Sequence, residues 1–133
     1  MLAADRNTLA TDGKLVVLPV AAGAKIFAGA LVVANATGYV APGSTATTLT
    51  YLGRAEEYVD NTAGADGAAT VRVRRGSAFY WKNAAGDLVT QASLGKPCYI
   101  VDDETVSKTN AGGNTQSLAG TVIGVDAGGV WVE

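Results

Sequence analysis

An all-β fold of the sandwich or barrel type is what this sequence predicts, and three observations carry the expectation. Turn residues recur about every ten positions, with Val, Ile, Leu, Thr and Tyr concentrated between them, as in proteins built from many short strands. Val71-Arg72-Val73-Arg74 alternates apolar and charged residues, which puts the valines on a buried face and the arginines on an exposed one. No stretch sustains a helical period, and no repeat of fixed length is visible.

Taken in order, Leu15 to Val20 reads as the first strand, and Ala21-Ala22-Gly23-Ala24 as the turn into a short segment through Ile26 and Phe27. Leu31 to Ala34 and Tyr39-Val40 form a hairpin around Asn35-Ala36-Thr37-Gly38, ended by Pro42-Gly43. Thr47 to Ala55 is extended and runs on through Glu56 to Val59, before the loop of residues 60–67. Arg75-Gly76 marks a bend after the alternating strand. Phe79-Tyr80-Trp81 continues as a strand, the stretch 83–87 turns, and Gln91 to Gly95 suits one helical turn. Cys98 to Val101 is a further strand, ended by Asp102-Asp103-Glu104, and residues 110–114 form a loop. Ala119 to Val125 and Val130 to Val132 pair around Asp126-Ala127-Gly128-Gly129, a glycine pair suited to positive φ. The simplest organisation is a polar N-terminal arm, residues 1–13, and a single β domain with one core, residues 14–133.

Composition bounds the function. Ten basic residues oppose twelve acidic ones in 133, which leaves no positive excess for a phosphate backbone and argues against nucleic-acid binding. Residues 1–14 lack the basic start and apolar middle of a signal peptide, and the single cysteine suits assembly in a reducing cytoplasm. Leu15 to Ala34 is long enough to cross a bilayer, but Lys25 near its centre would cost roughly 2.5–3.5 kcal/mol, and Pro19, Gly23 and Gly29 break it. Two buried strands around a turn fit that stretch better, and no membrane partner is expected.

Chemistry is thin. Without histidine the chain lacks the usual general base and metal ligand, and the middle member of a serine triad. Ser77, Ser93, Lys82 and Lys96 are joined by no motif, and they read as solvated loop residues. Cys98, inside an apolar segment, reads as a buried inert thiol. Asp102, Asp103 and Glu104 lack EF-hand spacing and read as a strand end, and the glycine-rich segments lack a phosphate-binding pattern. No enzyme, catalytic residue, metal or cofactor is expected.

The remaining features suit contacts between proteins. Arg72, Arg74, Arg75 and Lys82 form a basic group just after the acidic Glu56, Glu57, Asp60 and Asp66. Ordinary solvated faces are one reading; complementary charge across a subunit boundary is the other. At least one of Phe79, Tyr80 and Trp81 must face away from the core, and an exposed aromatic beside arginine suits an interface. The candidate interface residues are therefore Arg6, Arg72, Arg74, Arg75, Tyr80, Trp81, Glu56, Glu57 and Tyr58.

Several stretches, in order, resemble the short head proteins of tailed bacteriophages that act as capsid cement or decoration proteins. They are the run from Val20 to Val32, Gly53-Arg54-Ala55-Glu56, Val59-Asp60-Asn61, the run from Val71 to Gly76, the run from Tyr99 to Val106, and Val130-Trp131-Val132. The resemblance implies a homodimer or homotrimer on local symmetry axes outside an HK97-type shell, bound to the major capsid protein. It also implies a jelly-roll-like sandwich or small barrel, with a β-tulip as the alternative. A different reading of the same residues is a receptor- or carbohydrate-binding β module of a fibre or tail, because aromatic and acidic loop residues suit sugars.

Overall fold

The computed structural model describes residues 1–133 and is nearly all β. Its strands are β1 (Leu15–Pro19), β2 (Lys25–Ile26), β3 (Leu31–Ala34), β4 (Val40–Pro42), β5 (Thr50–Ala55), β6 (Val59–Asp60), β7 (Thr70–Arg74), β8 (Phe79–Asn83), β9 (Pro97–Ile100), β10 (Thr105–Ser107), β11 (Leu118–Asp126) and β12 (Gly129–Val132). The first half forms a five-stranded sheet in the order β1-β7-β5-β3-β4, and the second a closed barrel in the order β10-β8-β12-β11-β9. β2 and β6 make a separate two-stranded sheet. The small-barrel alternative is thus realised, and a jelly-roll order is not among the pairings.

The two halves repeat one topology. In each, the first strand pairs with the last, the last with the fourth, the fourth with the second, and the second forms a hairpin with the third. A parallel contact then brings the third strand back to the first: Val20 bridges Val40 in one half, and Asn83 pairs with Val106 in the other. The correspondence extends to single residues. Ala34 opposite Val40 matches Ile100 opposite Val106, and Val33 opposite Ala41 matches Tyr99 opposite Ser107. Val16, Val17 and Leu18 on β1 match Phe79, Tyr80 and Trp81 on β8, facing Val73, Arg72, Val71 and Val132, Trp131, Val130 respectively. Both second–fourth strand pairs slip register at the same place, so Tyr51 and Gly53 correspond to Leu118 and Gly120. Gly29 N–H donates to Ala55 O at 2.8 Å and Gly95 N–H to Val122 O at 2.8 Å. The reading that no repeat of fixed length is present stands: the halves repeat a topology, but their loops differ in length, so no constant period runs through the sequence.

The first barrel closes less completely for a visible reason. Lys82 N–H donates to Glu104 O at 2.8 Å across the second seam. Its counterpart is Pro19, which has no N–H to give. Beyond the Val20 bridge the outer edge of β1 is therefore unpaired, and Leu15 and Val17 are exposed. The expectation of a buried first strand is corrected accordingly.

There are two cores rather than one. Val20, Ile26, Val32, Val40, Ala55, Val71 and Val73 fill the first barrel. Phe79, Trp81, Val89, Cys98, Ile100, Val106, Val122, Val130 and Val132 fill the second, together with Leu31 and Val33 of β3. Strand alternation sends Val32 inward and its two neighbours outward, so β3 serves both cores and joins them. Each fully buried Val, Leu or Ile among them stabilises by roughly 1.5–3 kcal/mol. Around this joint Leu31 N–H donates to Asp103 O at 2.7 Å, Trp81 Nε1–H to the Tyr51 hydroxyl at 3.3 Å, and Thr45 Oγ1–H to Val101 O at 2.8 Å.

Other departures are local. β5 starts at Thr50, not Thr47, because Thr48 sits at φ 63° and breaks the extended run. β10 was not expected; it forms because Asp102 Oδ1 accepts Glu104 N–H and turns the acidic strand end into a hairpin. The helical turn is a 3₁₀ turn at Gln91–Ser93. Gly128 and Gly129 do not adopt left-handed φ. They are needed for space: a Cβ on Gly128 would lie 2.6 Å from the Tyr80 hydroxyl, and one on Gly129 would overlap the Trp81 carbonyl.

Candidate interaction surface

Four of the charged residues singled out from sequence, Glu56, Glu57, Arg72 and Arg74, meet at neighbouring strands of the first barrel, whereas Lys82 lies on β8 of the second and pairs with Glu104 at 2.7 Å. Pairing of β5 with β7 sets Arg54 opposite Arg74, and Glu56 follows directly after β5 to lie between them. Glu56 Oε1 accepts from Arg54 Nη2 at 2.6 Å and from Arg74 Nε at 3.2 Å. These contacts, the Arg54 hydrogen bond foremost, hold the Glu56 carboxyl below the usual range. Glu57 accepts Arg72 N–H at 3.0 Å and the Arg72 guanidinium at 3.3 Å, and the backbone bond is the larger cause of its lowered pKa. Of the two readings of these charges, solvated faces or complementarity across a subunit boundary, the structure shows complementary pairs formed within one chain. Sequence proximity places the two groups together but cannot show that antiparallel pairing makes them partners.

Arg54 also lies 5.2 Å above the Phe79 ring, so the same network touches the second barrel. Because carboxylates depressed in the folded state bind protons more weakly than in the unfolded chain, stability falls as pH drops through their range. Glu56, Glu57, Asp60, Asp87 and Asp126 are all depressed, each by hydrogen bonds it accepts. Asp103, raised by burial, acts in the opposite sense alone. A melting temperature flat above about pH 5 and falling progressively below about pH 4.5 is expected, with a shallower fall in Glu56→Gln. A melting temperature independent of pH down to about 3 would show that these pairs do not persist in solution.

Aromatic residues form two exposed pairs, one beside the β2/β6 sheet and one on the second barrel. Phe27 and Tyr58 are 58% and 53% exposed, with ring centroids 5.5 Å apart. On the second barrel Tyr80 and Trp131 face each other across β8 and β12, 4.9 Å apart and both exposed. The Tyr80 hydroxyl donates to Asp126 Oδ1, which also accepts Gly128 N–H at 2.8 Å and Gly129 N–H at 3.1 Å. That bond lowers the Asp126 pKa and raises that of Tyr80. Asp126 also lines a depression of about 500 Å³, together with Lys82, Asn83, Leu88 and Val125.

Comparison with protein-family models, curated proteins and solved structures finds no match to this chain.

Placement of the sequence candidates is mixed. Arg72, Arg74, Glu56 and Glu57 lie close together on the first barrel, Tyr58 stands just before β6 with its hydroxyl donating to Asp60, and Tyr80 lies on the second barrel. Arg75 is exposed just beyond β7, its N–H donating to Lys14 O at 2.7 Å, and Arg6 stands in residues 1–12, all exposed and without strand. Trp81 is corrected as a surface candidate: it is 4% exposed, because alternation on β8 turns it inward with Phe79 and only Tyr80 outward. Trp131 and Phe27 were missed. Alternation in Val130-Trp131-Val132 carries the signal for Trp131; nothing local separates an exposed Phe27 from a buried one. Cys98 is fully buried, and burial pushes its thiol up to about 11, as suits an inert side chain.

Proposed function

We propose that this chain is a structural protein of a tailed-bacteriophage head, of the cement or decoration type. It is made in the host cytoplasm, binds the outer surface of an HK97-type shell and bridges neighbouring major capsid protein subunits. The observation that carries this reading, beside the resemblance, is the separation of contact-ready surfaces. One exposed aromatic pair flanks the β2/β6 sheet and another stands on the second barrel, and Leu2 and Leu9 of the N-terminal segment are 70% and 90% exposed. Bridging needs several such patches on one rigid body, each able to meet a different neighbour. A partner that binds assembled shell and not free subunits stabilises the shell by mass action.

Cosedimentation of the purified protein with expanded heads lacking it, followed by heating of decorated and bare shells, tests the proposal. Saturable binding at a fixed ratio to the capsid protein, with a raised disruption temperature, is expected. Absence of binding to the heads of its own phage would overturn it. One observation favours a second reading as a carbohydrate-binding module: Tyr80 and Trp131 stand beside an acidic residue, Asp126, that lines an open depression. Binding to host glycans without affinity for shells would select that reading.

A further inference from the structure

The duplication makes the contact between the two barrels informative, because each residue in it has a counterpart in the other barrel. The first barrel contributes Leu31, Val33 and Tyr51. The second receives them with Phe79, Trp81 and Ile100, which are 6%, 4% and 0% exposed. Under two-fold packing, counterparts would be buried alike. They are not. Pro97 and Leu118, the counterparts of Leu31 and Tyr51, are exposed, Leu118 by 54%, and Tyr99, the counterpart of Val33, is only half-buried. On the receiving side Val16, Leu18 and Ala34, the counterparts of Phe79, Trp81 and Ile100, are likewise half-buried: Val16 and Leu18 pack against the first core from one side and keep the rest of their surface open. The barrels therefore pack head to tail. Such a contact uses one donor and one acceptor face, and leaves the complementary faces at the two ends of the pair unoccupied.

We propose that a second copy of this chain occupies them: the β9/β11 face of one molecule, with Tyr99 and Leu118, packs on Val16, Leu18 and Ala34 of the next, repeating the contact that joins the two barrels. The occupant follows from the molecule itself, because the contact already exists once within each chain between surfaces of the same topology. Trp81 meets Tyr51 inside the molecule, so Leu18 of one copy should meet Leu118 of its neighbour. The assembly would form without shell or receptor, so the inference stands apart from the function proposed above.

Analytical ultracentrifugation of the full chain, with Leu118→Glu beside it, reads the assembly. Expected are an oligomer for the unchanged protein, and for Leu118→Glu a monomer that keeps its folded circular-dichroism spectrum, since the side chain is exposed within the monomer and only the stabilisation contributed by association is lost. A double variant Leu18→Cys with Leu118→Cys, oxidised, should give covalent links between copies. Either single variant should give none, and buried Cys98 stays silent. A monomer at all concentrations would overturn the proposal. So would an oligomer that survives Leu118→Glu without the 18-to-118 link, or a covalent dimer from Leu118→Cys alone, which would mark a two-fold contact through that face.

Discussion

Gly53→Ala is expected to destabilise the protein by roughly 2–6 kcal/mol, a large share of the about 5–15 kcal/mol that holds an ordinary domain folded. Two effects combine at this position. Gly53 sits at φ 135°, where an L side chain is strained by about 1–3 kcal/mol. A Cβ there would also overlap the Arg74 carbonyl oxygen and lie 3.3 Å from Phe79 Cε2, so neither strand β7 nor the neighbouring barrel can easily yield. Overpacking adds about 1–3 kcal/mol. Gly120 is the control supplied by the duplication. Its Cβ would lie 2.5 Å from Glu133 O and 2.9 Å from Val132 Cγ1, but its φ is not left-handed, so Gly120→Ala should carry only the steric part, about 1–3 kcal/mol. Urea denaturation of the two variants separates the terms. Equal midpoints would mean that the β5 irregularity is not built as described.

This pair also shows what could be read before folding. The β class was legible because Val71 to Arg74 states its alternation outright and because turns such as Asn35 to Gly38 announce hairpins. That Asn35 Oδ1 accepts Thr37 N–H at 3.1 Å and Tyr39 N–H at 3.0 Å is the chemistry behind the second signal. The duplication was illegible because it lives in register and hydrogen bonding. Leu31 and Pro97 share a position but no chemistry, and Pro19 replaces a donor that Lys82 supplies. β3 reads as an ordinary apolar strand, and only the presence of a second barrel gives its outward residues a core to enter. The charged candidates were recognisable as a group, whereas their mutual pairing depended on which strands became neighbours.

Trp81→Ala is expected to cost about 3–5 kcal/mol, and Trp131→Ala only about 1 kcal/mol, although both tryptophans lie on adjacent strands of one barrel. Trp81 fills the second core and hydrogen-bonds the Tyr51 hydroxyl, whose ionisation burial pushes up to about 12. Removing it opens a cavity and strips that hydroxyl of its donor, at the point where Tyr51 of the first barrel meets the second. Trp131 loses a stacking partner in Tyr80 and little buried area, since it is 43% exposed. Denaturant unfolding gives both values, and acrylamide quenching of each single-tryptophan variant reports exposure independently. Because a strand's faces alternate, a register slip of one residue would exchange the two behaviours. A stable Trp81→Ala beside a collapsed Trp131→Ala would therefore place Tyr80, not Trp81, in the core, and would remove Tyr80 from the surface assigned to binding.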